Sequence, residues 1–90
     1  MWIGPKHHKI VGAHLAALRH EIDITQADLA KRLRKAQSFV SAFENGQRRV
    51  DLLEFASIVL ALGGDPQAVS TKIFAAIEQS SGVRRAKPRS

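Results

Sequence analysis

Apolar positions along this chain recur at a helical interval, and nowhere do they alternate as a half-buried strand would. Val11, Leu15, Leu18 and Ile22 fall at i, i+4, i+7 and i+11, which is one face of a first helix. Asp23 follows where that helix must turn, and Asp accepts the left-handed conformation better than most residues. Thr25 is a good N-cap with Asp28 three residues on, so a short second helix is predicted with Leu29, Ala30 and Leu33 facing inward. Arg34-Lys35-Ala36 is long enough only for a tight turn. A third helix is predicted from about Gln37 to Glu44, burying Val40 and Phe43, and Asn45-Gly46 ends it. Asp51, with Glu54 in the box position, caps a fourth helix. That helix is apolar nearly all round, which predicts the central and most buried element. Gly63-Gly64 stops it, and Asp65-Pro66 starts a fifth. Val69, Ile73 and Ile77 form one stripe of the fifth helix, with Phe74 beside it. The predicted fold is therefore all-α, a compact bundle of five short helices.

The ends of the chain lack this period. Residues 1–9 read as an N-terminal arm, residues 10–79 as the folded domain, and residues 80–90 as a flexible tail carrying Arg84, Arg85, Lys87 and Arg89. No internal repeat is visible. Ninety residues allow one modest core, whose limited stability dimerisation would raise.

Composition narrows the chemistry. There are no cysteines, which excludes disulfides, thiolate metal sites and a cysteine nucleophile, and fits a cytoplasmic protein. The apolar run from Phe55 to Gly64 is far shorter than the roughly 20 residues that span a bilayer. No signal peptide is expected at the N-terminus. His7, His8, His14 and His20 do not share ligand spacing, so no metal and no cofactor are expected. No nucleophile elbow or glycine-rich phosphate loop is present, so the chain is not expected to be an enzyme.

The net charge of +6 favours a polyanionic partner, because neutralised phosphates release counterions. Its distribution says more than its sum. Lys31, Arg32, Arg34, Lys35, Arg48 and Arg49 flank a segment whose acid is Glu44. Within that segment two short helices are joined by a tight turn, and the second is of a size that enters a major groove. Gln37, Ser38, Ser41 and Ala42 point one way along it, while Val40 and Phe43 point the other.

The stretch Thr25-Gln26-Ala27-Asp28-Leu29-Ala30, followed by Gln37-Ser38-Phe39-Val40-Ser41-Ala42-Phe43-Glu44-Asn45-Gly46-Gln47-Arg48-Arg49, resembles the Cro/CI-type, or XRE, helix-turn-helix family. The resemblance covers roughly residues 10–66 and implies a lambda-repressor-like domain. It implies that Gln37 and Ser38 read bases, with Ser41 and Ala42 also facing the groove. A glutamine pairs with adenine N6 and N7, and alanine offers apolar contact to a thymine methyl. It places Gln26, Asn45, Arg48 and Arg49 at the DNA backbone and makes Arg19 and Glu44 a structural salt bridge. Arg34 stands where the family often has glycine, adding with Lys35 a cation near the phosphates. Ala36 stands where the family often has Ser, Thr or Pro, which predicts a late or fraying start to the third helix.

The expected function is that of a sequence-specific transcriptional regulator, a homodimeric repressor that reads a palindromic operator in double-stranded DNA. Val69, Ile73, Phe74 and Ile77 are the expected dimer seam. The alternative is the antitoxin or interaction module of a toxin–antitoxin pair, with a toxin protein as partner.

Overall fold

Leu15, Leu29, Val40 and Phe43 come from three different helices and are fully shielded from solvent. Around them the computed structural model, which describes residues 4–81 and 86, arranges five helices. These are α1 (Pro5–Glu21), α2 (Gln26–Leu33), α3 (Gln37–Glu44), α4 (Leu52–Ala61) and α5 (Pro66–Ser81). No strand occurs among the described residues. Helices α1 and α2 both pack on α3, and α4 and α5 close the other side of the core. Ala30, Ile58, Val59 and Leu62 complete the central cluster.

Local chemistry accounts for the helix starts. The Thr25 hydroxyl accepts from the Asp28 amide at 3.0 Å, and the Asp28 carboxylate accepts from the Thr25 amide at 3.0 Å. Asp51 and Glu54 repeat this exchange at α4, at 2.7 and 3.1 Å. At α5 the Asp65 carboxylate accepts from the Gln67 amide, and Pro66 holds the first helical position. The turns follow the same logic. Asp23 and Gly46 adopt positive φ, at 57° and 74°, where their helices end.

Three expectations change. Residues 5–9 are not an arm but the first turns of α1, entered through an extended Gly4 and Pro5. The Gly4 amide donates to Nδ1 of His7 at 2.8 Å, and the His7 ring is buried. A histidine does not register as an apolar position, so the apolar period begins later than the helix does. At the other end α5 runs on through Ser80 and Ser81. The tail cations lie outside the described residues.

Nor is α4 the most buried element. Phe55, Ile58 and Val59 form its inward stripe, continued by Leu62 just past its end, but Leu52 and Leu53 are each 79% exposed and Leu60 63%. Apolar composition told how hydrophobic this helix is, and packing decided which side of it is covered.

Candidate nucleic-acid interface

The site is built around α3, whose two sides differ as its sequence suggests. Val40 and Phe43 are fully buried, while Gln37 and Ser38 are exposed and Ser41 and Ala42 half-buried. The helix begins at Gln37 although Ala36 supplies no capping side chain; the Ala36 carbonyl instead accepts from the Phe39 amide at 3.0 Å. Packing of the inward face does what a cap would otherwise do.

The turn before α3 is closed by Arg34. It takes the left-handed conformation, φ 56° and ψ 43°, that glycine would adopt without steric cost. The Lys35 amide then reaches back to the Ala30 carbonyl at 2.9 Å. Arg34 and Lys35 are both exposed.

The far end of α3 is mounted on α1 in two ways. One is backbone contact. A Cβ on Gly12 would collide with the carbonyl oxygen of Phe43 and lie 2.7 Å from that of Glu44, so only glycine lets the helices approach this closely. The other is a charged fork. Arg19 Nε and Nη2 donate to the two Glu44 oxygens at 2.7 and 3.0 Å, with both side chains less than a tenth exposed. Arg19 Nη1 also donates to the Ile24 carbonyl at 2.7 Å, which ties in the chain entering α2. The hydrogen bonds to Glu44 hold the guanidinium above its ordinary pKa against the opposing effect of burial. Gln26 donates to Glu44 Oε1 at 3.0 Å, so its side chain joins this internal network rather than standing free.

The chain after α3 brings Asn45, Arg48 and Arg49 to the surface. Arg48 is not free. Nη1 and Nη2 meet the Glu54 carboxylate at 3.0 and 2.9 Å, and Nη1 also donates to the Arg49 carbonyl at 2.7 Å. Its guanidinium carbon lies 4.6 Å from the Phe39 ring centre, within cation–π range. Phe39 in turn meets Phe43 edge-on, with ring centres 5.5 Å apart. The bonds to Glu54 raise the Arg48 pKa, and those from Arg48 and the Asp51 amide hold Glu54 below the usual carboxylate range.

One cationic position, Lys9, escaped the sequence reading. Gly46, at φ 74°, presses against α1 so closely that a Cβ there would lie 2.5 Å from Lys9 Cγ. His8 and Lys9 therefore share a shallow hollow with Asn45, Gln47 and Arg49. Glycine at such a position signals a close approach, but the sequence does not name what approaches.

The expected seam residues separate. Ile73 is 3% exposed and Val69 packs against the core, so both support the monomer. Phe74 is 59% exposed and Ile77 half-buried. With Leu52, Phe55 and Val11 these two line an open, apolar groove of about 210 Å³ between α4 and α5. Among the described residues no three potential metal ligands cluster, and no helix is long and apolar enough to cross a membrane.

Residues 15–69 match the helix-turn-helix family model. In structure the chain is similar to an XRE-family like protein from Pseudomonas syringae pv. tomato str. DC3000, with 38% identity and a TM-score of 0.72. That match covers 79% of this chain and 87% of the other. It is also similar to the clp gene regulator ClgR from Corynebacterium glutamicum, with 25% identity and a TM-score of 0.73, covering 79% of this chain and 92% of the regulator. No curated protein sequence matches significantly.

Proposed function

Because this chain belongs to the XRE family of helix-turn-helix proteins, we propose that it binds DNA and regulates transcription as a dimeric repressor of a palindromic operator. One observation carries the reading. The polar side of α3 stands in solvent, while its apolar side is buried and its far end held by Gly12, Arg19 and Gln26. A helix so mounted can enter a major groove without rearranging its support. Gln37 and Ser38 read base edges there, with Ser41 and Ala42 behind them. Arg34, Lys35, Asn45 and Arg49 stand at positions suited to the flanking phosphates, and the amide end of α2 beside Gln26 suits another.

The groove between α4 and α5 supports the dimer. Leu52 and Phe74 are large, apolar and exposed, a face that a second copy would cover; dimers of helix-turn-helix proteins read half-sites ~34 Å apart. A toxin-type protein partner is the second reading, favoured by the same exposed side chains.

The test is selection of bound duplexes from a random pool. Wild-type protein is expected to enrich a palindrome. The Gln37→Ala/Ser38→Ala variant is expected to keep weak, salt-sensitive binding and lose the base preference. Enrichment of the same sites by both proteins would remove the base-reading assignment.

A further inference from the structure

The sequence treats the cations after α3 as equivalent, and the structure does not. Arg48 has its charge opposed by Glu54 in a two-bond fork, a third donor bond to the Arg49 carbonyl, and one face laid over Phe39. Glu54 is also the residue that closes the α4 capping box onto the Asp51 amide. Arg48 therefore links the aromatic edge of α3, through Phe39 and Phe43, to the first turn of α4. Lys9 and Arg49 have neither kind of engagement among the described residues. Both are exposed, and the tight seating of Gly46 against α1 brings them to one hollow.

We infer that the phosphate-contacting charge at this end of α3 belongs to Arg49 and to Lys9 of α1, and that Arg48 is a positioning residue. The inference rests on the DNA-binding reading and refines it. The ligand is the duplex phosphate backbone, and the contact extends beyond the two-helix unit onto the first turns of α1. For Arg48 to bind a phosphate it would have to give up a carboxylate that already matches its fork, leaving Glu54 unpaired beside the polyanion. A free lysine and a free arginine give up only water and counterions.

Salt dependence separates the two roles, because each lost phosphate contact lowers the slope of log affinity against log salt by about 0.9. Binding of a fluorescent selected duplex would be titrated across a range of salt for wild type, Lys9→Gln, Arg49→Gln, Arg48→Gln and Arg48→Lys. Lys9→Gln and Arg49→Gln are each expected to lower the slope by about 0.9. Arg48→Gln is expected to leave the slope unchanged and to reduce the preference for selected over random duplex. Lysine at 48 keeps the charge but loses the planar fork and the stacked face, so Arg48→Lys should fail to restore that preference. NMR of the unbound variants supplies a second readout: both Arg48 changes should shift the Phe39 ring resonances, and neither Lys9→Gln nor Arg49→Gln should.

A slope reduced by Arg48→Gln as much as by Arg49→Gln, or full rescue by Arg48→Lys, would overturn the role given to Arg48. An unchanged slope in Lys9→Gln would remove α1 from the interface. Absence of any salt-dependent binding by the wild type would instead count against the proposed function, while the Phe39 resonances would still decide whether Arg48 holds α3.

Discussion

Two apolar segments of this chain have opposite fates. In α3, the large apolar residues Val40 and Phe43 are fully buried, Phe39 is half covered, and what remains outside is mostly polar. In α4, and in the part of α5 beside it, Leu52, Leu53 and Phe74 stay in solvent after the chain has folded. Since α4 is the more hydrophobic by sequence, hydrophobicity alone does not decide which element is the centre. Position does: α3 is wedged between α1 and α2, whereas α4 has neighbours along only one stripe. The comparison separates two tasks, a rigid mount for a polar face and an apolar face left available.

The sharpest break in that comparison is Phe43→Ala, which empties the middle of the mount. It is expected to cost about 4 kcal/mol of folding free energy, read by urea denaturation. Gly12→Ala comes next, at about 3 kcal/mol, because the added methyl meets backbone that cannot turn aside. If that variant were as stable as wild type, the close crossing of α1 and α3 would be wrong. Arg34→Gly acts in the other direction, with an expected gain of about 1 kcal/mol from removing a side chain from a left-handed position. On the apolar face, Leu52→Ser with Phe74→Ser should change monomer stability by no more than about 0.5 kcal/mol each. Sedimentation should nevertheless show the proposed dimer lost; dimers that survive would move the seam elsewhere.

The smallest effect concerns acid. Glu54 titrates below its ordinary range in the folded chain, held down by Arg48 and then by the Asp51 amide. A depressed carboxylate contributes stability above its unfolded pKa, roughly 4.3, and that contribution is lost as pH falls through the folded value. Glu54→Gln should therefore flatten the acid side of a stability–pH curve below about pH 4. It should leave the neutral plateau shape unaltered.

How much of this was legible follows from the range of each interaction. The starts of α2, α4 and α5 could be read because Thr25–Asp28, Asp51–Glu54 and Asp65–Pro66 act within a few residues. The inward side of α3 could be read from Val40 and Phe43. What escaped depends on distant partners. The placement of Lys9 beside Gly46, the pairing of Arg48 with Glu54 and the exposure of Leu52 and Leu53 are all decided by how helices meet. Gly12 left a trace, since a glycine inside a helix often marks a close neighbour, but the trace does not identify α3. His7 left none, because its burial comes from α1 reaching further back than its apolar period.

The crossing at Gly12 also bears on which parts of α3 are free to vary. What α1 grips there is the main chain of α3, through the carbonyls of Phe43 and Glu44, and main chain is the same whatever side chains the helix carries outward. The exposed positions 37 and 38 can therefore be rewritten without refitting the support behind them, whereas the half-buried 41 and 42 are limited to side chains of similar size. If the proposed base-reading role holds, that outward surface is an exchangeable part carried on an unaltered scaffold.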